Sequence, residues 1–240
     1  MSSLSRQQQI LKLVQHAESL SVSDLIEKLQ VSPATVRRDL VWLEEEGKIV
    51  RLHGAVMDRR NLAGEPSFLT KRGQVPEEKR LIGQLVAAQI PKGATVFIDA
   101  GTTCLEAGVA LLARGSHTIY TNSLPLMSHG GNGDTRVIGI GGEVRELSRA
   151  LVGSMALDWI RNLRFDYAVV GASALDVESG VMTTELNEAG IKRSIIESAK
   201  VAILAADASK LDNEATVRFA DWSHFQFWVT DAIGPASRIR

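Results

Sequence analysis

A short run near the N-terminus, Ser32 to Leu40, places hydroxyl and guanidinium side chains at the start of a predicted helix. Ser32 is a favourable N-cap residue, and Pro33 suits the first helical position because its missing N–H would have no intrahelical partner. Hydroxyls and guanidinium groups hydrogen-bond to DNA phosphates and base edges, so the pattern predicts a helix that reads the major groove. The residues predicted to contact DNA from this helix are Ser32, Ala34, Thr35, Arg37 and Arg38.

The surrounding elements are those that would position such a helix. Val36, Leu40 and Leu43 recur at helical spacing and predict its buried face. Two shorter amphipathic helices precede it, and Ser21 caps the second of them. Residues 48–56 alternate around a turn glycine and predict a β-hairpin wing, which would bring Arg51 and His53 to the DNA backbone. Three helices and a wing predict a winged helix-turn-helix.

Charge balance limits how this domain could bind DNA. The chain carries 27 basic and 28 acidic residues, a net charge of −1, so it is not a general polyanion binder. We therefore expect DNA affinity to come from a few well-placed contacts, doubled by assembly into a homodimer or homotetramer. The alternative is that the helix-turn-helix spacing serves protein contacts or plain packing.

Length and composition predict two domains. At 240 residues the chain exceeds one winged helix. We predict a DNA-binding domain over 1–57, a Gly- and Pro-containing linker over 58–75, and an effector domain over 76–234. Cys104 is the single cysteine, which excludes an intramolecular disulfide and suits the cytoplasm. We expect no metal, because the histidines lack ligand spacing, no cofactor, and no membrane partner, because no apolar run is long enough to span a bilayer.

The second domain alternates short apolar runs with helical segments. Continuous apolar strands separated by helices predict an α/β fold with a doubly wound parallel sheet covered on both faces. The predicted strands are residues 95–99, 118–120, 136–140, 167–170, 201–204 and 227–229. Ligands of such sheets bind at the carboxyl ends of the strands, so the residues after each strand are the candidate binding residues.

The loop after the first of these strands has the composition of a phosphate site. Gly101, Thr102 and Thr103 follow Asp99 and open a helix, which offers backbone N–H groups, two hydroxyls and the positive end of the helix dipole. A plain strand-to-helix turn capped by threonine is the alternative. Glycines, hydroxyls and the Lys210 ammonium follow the other strands, and together they suit a small, anionic, polyhydroxylated ligand.

The N-terminal residues resemble the helix-turn-helix signature of the DeoR family, a group of bacterial transcription regulators that are mostly repressors of sugar catabolism. The resemblance covers essentially the whole chain. One difference lies in the wing, where this sequence has His53-Gly54-Ala55 in place of the family's His-Gly-Gly-Ala. It implies a sequence-specific regulator of a sugar operon that binds a double-stranded DNA operator. The residues that carry it are Arg6, Ile10, Val14, Ser32, Thr35, Val36, Arg37, Arg38, Asp39 and Leu40.

The second domain is similar to ribose 5-phosphate isomerase over residues 91–103, 195–198 and 206–210. This resemblance implies that Gly101, Thr102, Thr103 and Lys210 hold the phosphate of a phosphorylated sugar. Two departures argue against an enzyme, because aldose–ketose isomerisation needs a carboxylate base. Residues 171–174 lack the isomerase's two aspartates, and Arg193 stands where its general-base glutamate would be.

We therefore predict a non-enzymatic sensor of a sugar phosphate. A sugar-phosphate isomerase-like enzyme, with Glu185 or Glu188 as a substitute base, and a DNA-binding module without a ligand are the alternatives. Residues 183–193 match a stretch typical of the DeoR family and are expected to contact or cover the pocket, and residues 222–228 to join the core or an oligomer interface. The full set of predicted effector contacts is Asp99, Gly101, Thr102, Thr103, Thr121, Asn122, Gly141, Gly142, Arg145, Ser173, Glu185, Lys192 and Lys210.

Overall fold

The computed structural model describes residues 3–15, 20–52, 55–58 and 65–231. The chain divides into two compact units, Met1–Gln74 and Val75–Arg240. The first unit contains α1 (Ser3–Gln15), β1 (Leu20–Ser21), α2 (Val22–Leu29), α3 (Pro33–Glu45), β2 (Ile49–Leu52), β3 (Ala55–Asp58) and α4 (Phe68–Gly73).

The helices of the first unit begin where their capping residues predict. The Ser21 hydroxyl accepts a hydrogen bond from the Asp24 backbone N–H and the Asp24 carboxylate accepts one from the Ser21 N–H, both at 3.0 Å. This reciprocal capping box starts α2. The Ser32 hydroxyl caps α3 by accepting a hydrogen bond from the Thr35 backbone N–H at 3.2 Å.

The strands of the first unit form a small antiparallel sheet in the order β1-β3-β2. The wing hairpin β2–β3 therefore gains a third strand from the residues before α2, in addition to the predicted hairpin. Val36, Leu40 and Leu43 are fully buried in one cluster with residues of α1, α2 and the wing. The predicted winged helix-turn-helix is confirmed.

Part of the predicted linker is structured. Helix α4 lies within it, and Phe68 at its start is buried. The Thr70 hydroxyl donates to the Gln15 carbonyl at 3.1 Å, and Lys71 pairs with Glu65 at 2.9 Å. These contacts attach the end of the predicted linker to the first unit, whereas the boundaries after residues 57 and 75 stay predictions.

The second unit is an α/β domain. Its elements are α5 (Pro76–Gln89), β4 (Thr95–Ile98), α6 (Thr102–Arg114), β5 (Thr118–Thr121), α7 (Leu124–His129), β6 (Arg136–Gly139), β7 (Glu143–Arg145), β8 (Ala150–Val152), α8 (Ser154–Arg161), β9 (Phe165–Val170), β10 (Ala174–Asp176), β11 (Gly180–Thr183), α9 (Leu186–Glu197), β12 (Ala199–Ala205), β13 (Val217–Ala220) and β14 (Phe227–Val229). Six of the strands form a parallel sheet in the order β14-β12-β9-β4-β5-β6, which confirms the predicted doubly wound parallel sheet. A smaller antiparallel sheet, β10-β11-β13, and a hairpin, β7–β8, are added to it.

Both faces of this sheet are covered. Phe97 of β4 packs with buried residues of α8 and α9, whereas its neighbours Val96 and Ile98 are equally buried outside that cluster. Successive strand residues point to opposite faces, so burial of all three requires cover on each side. None of the described helices is long and apolar enough to cross a membrane.

The prediction for the buried side of α5 is wrong in part. The sequence predicts a helix here with five apolar residues on its buried side: Leu81, Ile82, Leu85, Val86 and Ile90. Ile82, Val86 and Ile90 are buried, but Leu81 and Leu85 are 47% and 41% exposed. Lys79 and Gly83 lie on the buried face instead. A Cβ on Gly83 would lie 2.6 Å from the Glu106 backbone, so the close approach of α5 to α6 needs glycine there. The two leucines consequently form an exposed apolar pair.

Candidate DNA-binding surface and effector site

The outer face of α3 presents two unengaged arginines. Arg37 and Arg38 are exposed, and neither forms an ion pair or hydrogen bond within the part of the chain that the structure describes. An exposed guanidinium held on a capped helix is free to reach a phosphate or the acceptor pair of a guanine. Ala34 is exposed beside them, at the same end of the helix.

A buried contact fixes α3 against α1. Asp39 is 2% exposed and accepts hydrogen bonds from the Arg6 guanidinium, including one at 3.2 Å from Nη2. Gln7 donates to the same carboxylate at 3.4 Å. The hydrogen bond to Asp39 raises the pKa of Arg6. This contact sets the orientation of the helix that carries Arg37 and Arg38.

The remaining predicted DNA contacts have partners or lie outside the described residues. The Ser32 and Thr35 hydroxyls are 2.8 Å apart and serve the cap of α3, although Ser32 is exposed. Arg51 on the wing is exposed and lies 3.7 Å from Glu44, a weak surface pair that DNA phosphate could replace. His53 lies outside the described residues.

Three neighbouring strands of the parallel sheet bring their following residues together. Asp99, after β4, accepts a hydrogen bond from the Gly171 N–H after β9 at 3.3 Å. The Asn122 side chain, after β5, accepts from the Ala100 N–H at 2.8 Å and donates to the Leu151 carbonyl at 3.3 Å. The carboxyl ends of β9, β4 and β5 therefore form one connected edge.

Gly101 opens α6 at this edge. Its φ of +141° lies in the region that favours glycine, and no side chain caps the helix. The first N–H groups of an α-helix have no intrahelical partner, so those of Thr102 and Thr103 are available to an anion. Both threonines are largely buried. The arrangement can hold a phosphate group.

Lys192 lies below this edge rather than on it. It is 6% exposed, pairs with Asp99, and donates to the Gly171 carbonyl at 3.1 Å. Burial opposes the charge on Lys192, but the attraction of Asp99 and Glu188 raises its pKa above the usual value. Burial raises the pKa of Asp99 against the pull of Lys192. Lys192 and Asp99, both predicted effector contacts, therefore form an ion pair with each other inside the protein.

A second ion pair links the β7–β8 hairpin to α9. Arg145 pairs with Glu188 at 3.0 Å, and Glu188 also accepts from the Thr183 hydroxyl at 3.3 Å. Glu185 caps α9 by accepting from the Glu188 N–H at 2.8 Å. Arg145 and Glu185, both predicted effector contacts, thus have partners inside the protein.

The other predicted effector residues differ in their accessibility. Thr121 is fully buried, donates to the Ile98 carbonyl at 2.6 Å, and accepts from the Ser123 N–H at 3.0 Å. A Cβ on Gly142 would lie 2.6 Å from the Val152 carbonyl oxygen, so this glycine permits a close turn, while Gly141 before it is exposed. Ser173 and Lys210 are half-buried after β9 and β12.

The set of predicted effector contacts omits three side chains near this edge. Glu188 and Thr184 belong to the stretch 183–193 that is expected to contact or cover the pocket, and Glu188 was also considered as a substitute base. Asp207 was not predicted as a contact. Thr184 and Asp207 each have a buried oxygen without a hydrogen-bond partner. Their neighbours Glu185 and Lys210 were the available signal. Cys104, beneath the edge, is buried, and burial raises the pKa of its thiol.

The described residues hold no cluster of three or more His, Cys, Asp or Glu side chains placed to bind a metal.

Two family models together match most of the chain. A DeoR-like helix-turn-helix domain matches residues 6–58, and a DeoR C-terminal sensor domain matches residues 74–232. The HTH-type transcriptional regulator GlpR of Haloferax volcanii is 35% identical over 94% of this chain and 89% of its own length. The glycerol-3-phosphate regulon repressor of Escherichia coli is 35% identical over 99% of this chain and 94% of its own. Among solved structures, ribose 5-phosphate isomerase A of Neisseria gonorrhoeae is similar, with a TM-score of 0.40, 14% identity, and coverage of 55% of this chain and 52% of that one.

Proposed function

The chain belongs to the DeoR family of DNA-binding transcriptional regulators, and we propose from this premise that it represses a sugar catabolic operon until a phosphorylated sugar releases it. The observation that carries the proposal is the connected edge in the second unit. There Gly101 leaves the first N–H groups of α6 uncapped, next to buried threonines. An uncapped helix start among hydroxyls suits a phosphate.

The DNA-binding half of the proposal rests on α3. Arg37 and Arg38 supply the base or phosphate contacts, supported by Ala34 and by the Ser32–Thr35 cap. Arg51 supplies a phosphate contact from the wing. Because one helix makes few contacts, we propose that a homodimer or homotetramer binds paired half-sites in the cytoplasm. The exposed pair Leu81 and Leu85 offers apolar surface for such an assembly.

We assign the predicted effector residues two kinds of role. Six residues of the edge are proposed to touch the ligand: Gly101, Thr102, Thr103, Gly141, Ser173 and Lys210. Those engaged inside the protein are proposed to position the edge: Asp99, Thr121, Asn122, Gly142, Arg145, Glu185 and Lys192. Ligand binding at this edge would change the affinity for DNA through linkage between the two sites.

We propose that the chain is not an isomerase. Glu188, one substitute base, pairs with Arg145, and Glu185 caps α9. Arg193 is exposed and donates to the Arg218 carbonyl at 3.1 Å. A guanidinium cannot act as a base near neutral pH. Turnover of ribose 5-phosphate by the purified chain would overturn this part of the proposal.

The experiment that tests the function is a titration of the DNA complex. The full chain is bound to a fluorescent duplex from the promoter beside its own gene, and anisotropy is followed as sugar phosphates are added. Glycerol 3-phosphate is the first probe, because an E. coli relative is named for its regulon. We expect tight binding that one phosphorylated compound releases. If none of the compounds changes the binding to DNA, the proposed ligand class is wrong, while the assignment as a DNA-binding regulator stands.

Lys210→Ala tests the effector site in the same assay. We expect DNA affinity to stay within twofold of wild type, while the sugar phosphate concentration for half-release rises tenfold or more, since a charge-assisted hydrogen bond is lost. Lys200→Ala is the control, because Lys200 pairs with Asp166 on the surface. An unchanged half-release concentration in Lys210→Ala would show that the pocket lies elsewhere.

A further inference from the structure

The outer face of α5 carries an exposed apolar stripe. Leu81, Leu85 and Ala88 recur at intervals of four and three residues, which places them on one side of the helix. All three are exposed. Single exposed apolar residues are ordinary on a protein surface, whereas a continuous apolar stripe indicates a surface that binds another molecule.

A groove lined by small side chains lies beside this stripe, between α5 and α6. Gly83 approaches Glu106 midway along both helices. Arg114, at the end of α6, donates to the Ala87 carbonyl near the end of α5, so the two helices run parallel. The groove has a volume of about 500 Å³. Its apolar lining consists of Ala87, Ala88, Val109, Ala110 and Ala113. Projecting leucines and a depression that a leucine can enter thus lie side by side.

Charge is divided between the two ends of this surface. Glu77 and Glu78 lie in the first turn of α5. Arg80 offsets Glu77, with which it pairs at 2.7 Å on the same helix. Lys92 is exposed just after α5, and Arg114 is exposed at the end of α6. The start of the surface is therefore negative at Glu78, and its end carries two positive charges.

We propose that this surface is the interface between two copies of the chain, which meet on a two-fold axis with their α5 helices antiparallel. The inference rests on the homodimer of the proposed function and assigns that assembly a face and an orientation. Leu85 is seven residues from both Glu78 and Lys92. A two-fold axis near Leu85 therefore brings Glu78 of one copy to the partner's Lys92, and each Leu81 to the small side chain of the partner's Ala88.

Self-complementarity favours a second copy as the occupant of this surface. A two-fold interface uses the same patch on both copies, so each feature must find its complement within the patch. Here a leucine lies opposite an alanine, and an acidic end lies opposite a basic end. A parallel arrangement would instead place Glu78 against the partner's Glu78, and the like charges would repel each other. The dipoles of the two helices also favour the antiparallel orientation.

The first test measures the mass of the full chain by sedimentation equilibrium over a range of concentrations. Leu85→Glu places a carboxylate at the two-fold axis, against the same group in the partner. We expect the mass to fall by half, and the dissociation constant of this step to rise about a hundredfold. Val177→Glu is the matched control and should keep the wild-type mass, because Val177 is exposed in the turn between β10 and β11. A wild-type mass in Leu85→Glu would overturn the inference.

A charge exchange tests the orientation of the two copies. Glu78→Lys and Lys92→Glu should each weaken the dimer about tenfold, because like charges then face each other. The double variant restores opposite charges across the antiparallel interface and should return to within about threefold of the wild-type dissociation constant. Circular dichroism checks that α5 stays folded in all three. If the losses of the single variants simply add in the double variant, the antiparallel arrangement is wrong.

DNA binding separates this inference from the proposed function. Leu85→Glu should bind a duplex with one half-site like wild type and lose affinity for the full operator, since only the pairing of half-sites is disrupted. If Leu85→Glu keeps its mass while a sugar phosphate still releases the wild-type oligomer from the operator, the interface is wrong and the function stands. A wild-type chain that stays monomeric at every concentration, both free and on the operator, would overturn the proposed homodimer together with the inference.

Discussion

Arg38→Ala is expected to reduce binding to the operator to the level of non-specific DNA. Arg38 is exposed on α3 and has no partner within the described ranges, so its guanidinium is available to a guanine edge or a phosphate. A bidentate contact to a base contributes about 1–3 kcal/mol. A dimer bound to paired half-sites loses this contact in both copies. The loss of binding free energy is then about 2–6 kcal/mol, which corresponds to a fall in affinity of roughly 30-fold to 10⁴-fold.

The measurement is fluorescence anisotropy on operator and scrambled duplexes at fixed salt, because salt alone changes DNA affinity. Circular dichroism and thermal unfolding should match wild type, since Arg38 supports no contact in the core. Arg164→Ala, which removes an exposed arginine from the second unit, is the control and should bind normally. Full operator affinity in Arg38→Ala would show that α3 is not the reading helix.

The fold was largely predictable because its signals are local. Ser21 and Ser32 cap the helices they were expected to cap, and both caps depend on atoms within three residues. Val36 and Leu40 are buried as their spacing predicts. The failure at α5 has a physical reason. Leu81 and Leu85 are apolar and correctly spaced for a buried face, but Gly83 sets the helix phase by allowing close contact with α6.

The convergence of the strand ends was predictable, and the pairing of their side chains was not. The rule for parallel sheets places Asp99, Asn122 and Gly171 at one edge, and the hydrogen bonds of Asp99 and Asn122 show that these strand ends lie together. It could not indicate that Lys192, 93 residues from Asp99, pairs with it in the interior. Nor could it separate Thr183, which is paired, from Thr184, which is not. These distinctions depend on which side chains meet in three dimensions.

The ion pair of Lys192 and Asp99 is expected to dominate the stability of the second unit. Lys192→Met removes the ammonium and leaves the Asp99 carboxylate in the interior, at 2% exposure, with one remaining hydrogen bond from Gly171. Leaving one charge of a buried pair uncompensated costs about 3–5 kcal/mol. A single domain is marginally stable, so this is a large part of the total free energy of unfolding. Urea unfolding followed by circular dichroism measures the loss.

Lys200→Met is the matched control, because Lys200 forms the same kind of pair with Asp166 at 2.8 Å on the surface. Its lysine side chain is 77% exposed, and surface pairs contribute only about 0–1 kcal/mol. The double variant Asp99→Asn, Lys192→Met should recover part of the loss, since neither charge then remains buried. If Lys192→Met were as stable as Lys200→Met, Lys192 would be free to leave Asp99. It could then be a direct effector contact, and its assignment as a positioning residue would be wrong.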